Sequence, residues 1–414
     1  MIPAGQSLLA VTLLLAAAWP AAAAPAKVPG KPAAALSLRS PMVFYLAQGE
    51  PNVCGAGCDE WIAAEGEITK GTADRMRAFL KRQGASKRPI YFNSPGGVTS
   101  ESLEMGRLMR ERGMTARVAR TTPLACDSEG SDCAAAKRSG RPLAARLTSS
   151  QAQCNSACVY AIVGARLREI APEAHLGIHA SKTVIMGLPK NVIIPAETRA
   201  RFKAENQQRI RRYLVAMGIP STLLDAAEKI PHESVHALSR EEMVQFNIDT
   251  RHVVESGWIY DERISGSGSN SSNIFKSIDM VETGSAAYRK TILRLSCRAG
   301  EFLLGYIREI GPQETSFASM RLVAASKEFE LPPPAGSVAS DDAKHHYDVR
   351  FVRVPVNAFE VAATADRIEI APGEGKPAIA RLSTAGLASA LSSLSRHCDQ
   401  ESPGGAALVP RQSP

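Results

Sequence analysis

The chain has 414 residues, of which 44% are hydrophobic, and its formal net charge is +8 at neutral pH. A chain of this length can bury the cores of about two or three domains, which excludes a miniature fold held together mainly by metals or disulfides. The positive charge does not predict a nucleic-acid partner. Lys and Arg residues are scattered, and their densest run, 201–214, alternates with apolar residues at the spacing of a solvated helix face.

Residues 1–24 have the layout of a cleavable signal peptide. An apolar run from Leu8 to Ala18 is followed by small residues with Ala-x-Ala patterns near the end of the segment. The run is too short to span a membrane comfortably, and no later stretch approaches a spanning length. We therefore expect a periplasmic or secreted protein without stable membrane insertion, whose Ala/Pro/Lys-rich segment 25–40 is disordered.

Strand and helix patterns alternate from residue 41 to residue 263. We expect strands in IAAEGEI, RPIYFNS, ARVA and HLGIH, a buried helix or strand in CVYAIVGA, and helices over 69–83, SLEMGRLMRER, the stretch after Pro195, STLLDAAEKI and EEMVQF. Ser239 and Glu242 form a capping box for the last of these helices. Alternation of this kind predicts βαβ units around a parallel sheet.

The composition and the predicted secondary structure of the chain change after residue 263. Residues 264–285 have the composition of a Ser/Gly-rich linker, and 286–400 that of a smaller β-rich domain, with a disordered tail at 401–414. The β-like runs of this domain are ILRLSC, EFLLGYI, MRLVAA, YDVRFVRVPV, FEVAAT and DRIEIA, and a helical stretch follows them. We expect a sandwich-like fold closed by a Cys297–Cys398 bridge.

The eight cysteines are an even number, which favours disulfides in an exported protein. Zinc fits less well, because no cysteine pair has the two-residue gap of common zinc knuckles. We expect neither a metal nor a cofactor. Glycines make a Cys54–Cys58 bridge comfortable, whereas Cys154–Cys158 requires a distorted first helical turn, and cross-pairing with the loop 126–133 stays open. The disulfide candidates are Cys54, Cys58, Cys126, Cys133, Cys154, Cys158, Cys297 and Cys398.

Three short motifs contain the residue types that nucleophilic catalysis needs, since a serine requires both a base and donors for the developing oxyanion. YFNSPGG at 91–97 places two glycines where a strand ends, and glycine allows an exposed N–H to approach a ligand. CNSAC places Ser156 just before an apolar stretch, where the Ala157 N–H and the helix dipole favour negative charge. HLGIHA ends a strand with His179.

In their order and intervals, these motifs resemble those of the proteolytic subunit of the Clp protease and the wider crotonase-like fold, over about residues 60–250. The resemblance implies an α/β core of repeated ββα units, and the cysteine motifs with the signal peptide indicate a periplasmic branch. It implies Ser156 as the nucleophile, His179 as the general base, and an oxyanion hole made by the N–H groups of Gly97 and Ala157. It further implies a peptide or unfolded-protein substrate and is compatible with a homo-oligomer.

The sequence departs from the family at the third member of the triad. The position of the family's carboxylate is occupied by Val235. A backbone carbonyl could orient His179 instead, a carboxylate could arrive from another position, or the triad is broken. The carboxylates in the same region are Asp225, Glu233 and Asp249.

Two alternatives to a Ser–His enzyme remain open. The signal peptide peptidases share this fold and use a Ser–Lys dyad, for which Lys203 is the candidate. A catalytically inactive binding or scaffolding protein of the cell envelope is the other alternative, and Val235 and the appended β-rich domain both favour it. The leading interpretation is an exported serine hydrolase that acts as a peptidase.

Overall fold

The structure is a computed structural model. It describes residues 38–84, 88–126, 131–182, 195–264, 270–281, 287–298, 301–311, 314, 317–325, 327–331, 333, 337–339, 346–353, 356–373 and 375–398. The expected signal peptide at 1–24, all but the end of the segment 25–40, and the expected tail at 401–414 lie outside the described residues.

The elements up to residue 264 alternate between strand and helix, as the sequence pattern predicts. In chain order they are β1 (Val43–Gln48), β2 (Glu60–Glu65), α1 (Thr72–Gln83), β3 (Ile90–Asn93), α2 (Thr99–Glu111), β4 (Thr115–Val118), β5 (Arg120–Pro123), α3 (Ser131–Arg138), β6 (Leu143–Thr148), β7 (Gln153–Asn155), α4 (Ala157–Gly164), β8 (Leu167–Glu169), β9 (His175–Ile178), α5 (Ala196–Ala216), α6 (Thr222–Glu228), β10 (His236–Ala237), α7 (Arg240–Gln245), β11 (Val253–Glu255) and β12 (Ile259–Ile264).

The helices follow from local sequence. In α1, Met76, Phe79 and Leu80 are buried, as expected for residues three and four apart on one helix face. The predicted capping box is present at the start of α7, where the Ser239 side chain accepts from the Glu242 backbone N–H and the Glu242 carboxylate accepts in return. The spacing of apolar residues therefore sets the buried face of α1, and the capping box sets the start of α7.

The main sheet has seven strands in the order β5-β6-β1-β2-β3-β4-β8. The run β2-β3-β4-β8 is parallel, while β1 pairs antiparallel with β2. Helices α2 and α4 pack closely, because Gly106 and Gly164 lie against each other and a Cβ on Gly164 would overlap the Gly106 backbone. The Tyr213 hydroxyl of α5 donates to the Tyr160 carbonyl at 2.8 Å. The apolar helix α4 is therefore enclosed on all sides.

A second, three-stranded sheet in the order β10-β9-β7 positions the candidate site. Strands β7 and β9 are parallel, with Asn155 opposite Gly177, and β10 runs antiparallel to β9 with His236 opposite Ile178. An isolated bridge from Ser94 to Cys154 connects this sheet to the end of β3. The ends of β3, β7 and β9 are thereby brought together.

The C-terminal part of the described chain is mostly β structure. Its elements are β13 (Asn270–Val281), β14 (Tyr288–Arg298), β15 (Glu301–Ile310), β16 (Met320–Ala324), β17 (Lys327–Leu331), β18 (Ser337–Ala339), β19 (His346–Arg353), α8 (Val356–Ala362), β20 (Arg367–Pro372), β21 (Ala380–Ser383) and α9 (Leu387–Cys398). A sheet in the order β11-β13-β14-β15-β19-β18, with β12 also on β13, and a sheet in the order β17-β16-β20-β21 share a buried cluster with α8 and α9. A repeated ββα arrangement and a separate β-rich domain with the expected boundaries stay predictions.

Two local expectations for this part are wrong. The expected linker 264–285 contains β13, which is paired along its length with β12 and β14 and buries Ile274 and Ile278. The Ser- and Asn-rich composition of this segment predicted a linker. Composition contains no information about which strands pair, so it could not reveal that the segment belongs to a sheet. The run FEVAAT was expected to be β-like, but its first four residues form the end of α8, where Phe359 and Ala362, three residues apart, face the same core.

The eight cysteines form four disulfides, with the expected pairs Cys54–Cys58 and Cys297–Cys398. The open question at Cys154 is answered by Cys154–Cys158, and Cys126 pairs with Cys133. Four disulfides are compatible with an oxidising compartment. In the described part of the chain, no helix combines the length and the hydrophobicity that crossing a membrane would require.

Candidate active site

Ser156 occupies the turn between strand β7 and helix α4. Its backbone has φ 56° and ψ −124°, a conformation that non-glycine residues rarely adopt. The Ser156 N–H donates to the Gly177 carbonyl at 2.7 Å, so the register of β7 and β9 continues through this residue. Ser156 also stands at the N-cap of α4, yet its side chain makes no capping hydrogen bond. The hydroxyl is therefore not used to begin the helix.

The glycine turn after β3 lies directly against the Ser156 turn. Gly96 has φ 102°, and a Cβ there would come within 2.5 Å of the Asn155 carbonyl oxygen and 2.7 Å of the Ser156 Cβ. Gly97 has φ 136°, and a Cβ there would overlap the Ile68 carbonyl. Only residues without a side chain allow this approach, which explains the two adjacent glycines.

The amide groups expected to form an oxyanion hole have no internal partner. Within the described residues, neither the Gly97 N–H nor the Ala157 N–H donates a hydrogen bond. Ala157 is the first residue of α4, where the helix dipole places partial positive charge. The ideal Cβ position of Gly96 lies 3.1 Å from the Ala157 nitrogen, so the glycine turn and this amide are neighbours.

His179 directly follows β9. Because Asn155 is opposite Gly177 in the parallel pair, Ser156 falls beside Ile178, one residue before His179. The His179 Nδ1 lies 3.1 Å from the carbonyl oxygen of Ala180. A carbonyl only accepts, so this contact favours the tautomer with the proton on Nδ1 and leaves Nε2 as the basic nitrogen.

The environment of His179 favours the neutral imidazole. Burial lowers the pKa of His179 below its usual value, and the neighbouring His232 lowers it further, while the Ala180 carbonyl and Glu233 act in the opposite direction. The His179 and His232 rings have centroids 4.9 Å apart, and the His232 Nδ1 also lies 3.1 Å from the Ala180 carbonyl oxygen. Two imidazoles therefore share one acceptor. The sequence interpretation missed His232, whose only signal is its position in PHESVH.

None of the carboxylates considered for the third position hydrogen-bonds to His179 within the described part of the chain. Asp225 pairs with Arg211 at 2.6 Å. Asp249 is buried and accepts from Arg251 at 2.6 Å, with Arg240 beside it. Of the three, only Glu233 acts on His179, through its charge.

Val235 stands opposite His179 when the register of β9 and β10 is extended by one residue, and its side chain is 52% exposed. The position to which the resemblance in the sequence assigns a carboxylate is therefore beside the histidine, but it holds an apolar side chain.

Lys203 is paired elsewhere. Its Nζ lies 2.8 Å from the Glu228 carboxylate, and half of its side chain is exposed. Nothing in its contacts directs it to Ser156, so the alternative Ser–Lys dyad gains no support. A group of three or more His, Cys, Asp or Glu side chains arranged to hold a metal ion does not occur among the described residues.

Comparison with family models finds no match to this sequence, and comparison with curated proteins finds none either. Among solved structures, the chain is similar to a serine-to-alanine variant of the 1510-N membrane-bound stomatin-specific protease, with 15% identity, coverage of 44% of this chain and 73% of that chain, and a TM-score of 0.27. It is also similar to a variant of ClpP1 from Listeria monocytogenes, with 15% identity, coverage of 44% and 85%, and a TM-score of 0.28. At these TM-scores the similarities assign neither a family nor a function.

Proposed function

We propose that this protein is an exported serine hydrolase that cleaves peptides. In this proposal Ser156 is the nucleophile, His179 is the general base, and the N–H groups of Gly97 and Ala157 form the oxyanion hole. The resemblance in the sequence implies these roles, and the turn geometry described above supports them.

The observation that carries the proposal is the conformation of Ser156. A non-glycine residue in this region of backbone space costs about 1–3 kcal/mol, and such residues cluster at active sites. A serine at a helix N-cap ordinarily bonds to a backbone N–H of the first turn, and this one does not. A purely structural serine would have no reason to combine a strained backbone with an unused hydroxyl.

In this scheme the chemical steps follow from the roles assigned to these groups. Nε2 of His179 accepts the hydroxyl proton as Oγ of Ser156 attacks the peptide carbonyl, and the two amides donate to the oxyanion that forms. The imidazolium then gives its proton to the leaving amine, and the carbonyl re-forms as the C–N bond breaks. Water attacks the acyl-enzyme with His179 again as base, which releases the carboxylate product and restores the serine.

The Ala180 carbonyl replaces the carboxylate of a triad in this scheme. It holds the Nδ1 proton and thereby the reactive tautomer, but it stabilises the imidazolium less than a full negative charge would. We therefore expect a slow enzyme with a working base rather than one with full triad efficiency.

The substrate in this proposal is a peptide or an unfolded chain. The signal-peptide pattern at 1–24 and the four disulfides support export. A compartment outside the cytoplasm supplies no ATP, so an energy-driven unfoldase cannot deliver folded proteins to the site. A homo-oligomer is compatible with the resemblance in the sequence.

Reaction with a fluorophosphonate probe tests the proposal, because such probes phosphonylate only an activated serine. We expect covalent labelling that is lost in Ser156→Ala and in His179→Gln but kept in Ser221→Ala, whose serine begins α6 without a capping bond. Peptide mapping should place the adduct on Ser156. Absence of labelling in the folded, oxidised wild-type protein would overturn the proposal.

A binding or scaffolding protein without catalysis is the second candidate, and Val235 is the observation in its favour. An apolar residue beside His179 is the change that loss of the triad would produce. The same experiment separates the two functions, because an inactive scaffold would leave wild-type Ser156 as unreactive as Ser221.

A further inference from the structure

We propose that a cavity between β6, β12 and α9 binds a small organic anion with an apolar body. The cavity has a volume of about 340 Å³, which falls within the range of small-molecule sites, about 300–1,000 Å³. Its walls come from parts of the chain that are far apart in sequence: the loop after β1, strand β6, residues 257–260 and helix α9. This site is separate from Ser156 and does not depend on the proposed hydrolase activity.

Two arginines give the cavity its charge. Arg146 and Arg396 both line it and are exposed, and within the described residues neither contacts a carboxylate. The Arg146 guanidinium lies over the Tyr260 ring, 5.4 Å from its centroid, and Arg396 donates to the Ser393 hydroxyl at 3.3 Å. Arginine beside an aromatic ring is suited to a planar anion such as a carboxylate, because its donors form a rigid fork.

The remaining walls fit an apolar body. Trp258, Val53 and Leu147 line the cavity and are half-buried. Gly386, just before α9, and Ala390, within α9, both line the cavity, and their small size leaves room for a ligand. A ligand with an aromatic or aliphatic part would therefore be shielded from water on several sides, while its charged end meets the arginines.

In a neighbouring cavity, carboxylates neutralise the positively charged side chains. It has a volume of about 270 Å³ and shares Trp258 with the first. Its cations are paired: Arg117 donates to Glu169 at 2.6 Å, and Lys276 lies 3.1 Å from Glu255. An anion gains little there, so we assign the anion site to the first cavity, whose two arginines contact no carboxylate among the described residues.

Among the described residues that line the first cavity, Glu50 is the one carboxylate. Its one negative charge is outnumbered by the positive charges of two guanidinium groups, so the lining of the cavity keeps a net positive charge. Because Glu50 is exposed, its charge is screened, and we expect its removal to strengthen anion binding by only about twofold.

The probe pair that tests this site is 8-anilinonaphthalene-1-sulfonate and its neutral analogue N-phenyl-1-naphthylamine, which share the aromatic body and differ in the anion. We expect the sulfonate to bind the full mature protein with energy transfer from Trp258, and the neutral analogue to bind at least about tenfold more weakly. Arg146→Gln with Arg396→Gln should weaken sulfonate binding by about tenfold or more, and Glu50→Gln should strengthen it.

Arg201→Gln is the matched control, because it removes a positive charge from the exposed surface of α5, away from the cavity. Displacement by 3-phenylpropionate or by phenyl phosphate, with 3-phenylpropanol as the neutral comparison, tells whether a carboxylate or a phosphate is preferred. Equal affinity for the charged and neutral probes would overturn the proposal, as would sulfonate binding unaltered by the arginine substitutions. The two single arginine variants give the same answer should the double variant fail to fold.

Discussion

A disulfide joins Cys154 to Cys158 across the turn that holds Ser156, and the two Cα atoms are 5.2 Å apart. Cys154 belongs to β7 and Cys158 to the first turn of α4, and both are fully buried. The bridge therefore ties the end of the strand to the start of the helix on either side of the strained serine. If Ser156 is the proposed nucleophile, a rigid connection of this kind holds it in a position from which an unsupported turn would relax.

We predict that Cys154→Ala with Cys158→Ala slows fluorophosphonate labelling of Ser156 by at least about tenfold. The matched control is Cys54→Ala with Cys58→Ala, because both bridges have a sequence separation of 4 and nearly equal Cα distances. Each double variant should lose about 2 kcal/mol of unfolding free energy by chain entropy, so only the first should also lose reactivity. Equal labelling rates in the two variants would show that the Cys154 bridge has no positioning role.

The second prediction concerns the pH dependence of labelling. In the proposed mechanism His179 acts as a base only when neutral, so the rate should rise with pH through the His179 pKa, which burial and His232 hold below its usual value. His232→Ala removes one of these causes, so the pKa should rise and the rate profile should move to higher pH. Glu233→Gln removes a negative charge, so the profile should move to lower pH.

Labelling rates between about pH 5 and about pH 8 measure these shifts. An NMR titration of the His179 ring reports the same pKa even in a Ser156→Ala protein, so the test does not require activity. Shifts in the same direction for the His232 and Glu233 variants would contradict the assigned causes.

The third prediction restores a carboxylate at the site. Val235→Asp places an acidic side chain opposite His179 at a position that is half exposed, so its charge is not buried at great cost. The aspartate should accept from the His179 Nδ1 and stabilise the imidazolium, which should raise the labelling rate by about tenfold or more. Val235→Asn has the same shape without the charge, and an equal increase in that variant would exclude an electrostatic origin.

The fourth prediction separates close packing from backbone strain. Gly96→Ala should both destabilise the protein and abolish labelling, because its Cβ would press on the Asn155 carbonyl and on Ser156. Gly113→Ala should lower the free energy of unfolding by about 1 kcal/mol, because Gly113 also has a positive φ, 65°. A Cβ at Gly113, however, meets no atom within 4 Å. Thermal unfolding and labelling of the two variants measure the difference. Normal labelling of the Gly96 variant would show that this turn does not shape the site.

Much of the local structure is predictable from the sequence because it depends on residues a few positions apart. The buried face of α1, the capping box at Ser239 and the Cys54–Cys58 bridge each follow from spacing within a single turn or loop. The same is true of the motifs around Gly97 and Ser156, whose residue types are recognisable without coordinates. Composition, by contrast, misled at 264–285, since the Ser- and Asn-rich segment pairs as β13 with the preceding strand β12 and the following strand β14.

The relationships that give the candidate site its chemistry were decided by tertiary structure. The partner of Cys154, the hydrogen bond from Ser156 to the Gly177 carbonyl, and the sharing of the Ala180 carbonyl by His179 and His232 all join residues whose meeting depends on strand pairing or on the path of a turn. Periodicity reports which face of an element is buried, but it contains no information about which element lies against that face. By itself, the sequence determined the candidate residue types and the local turns, and only the pairing of β7, β9 and β10 determined which of these segments lie side by side.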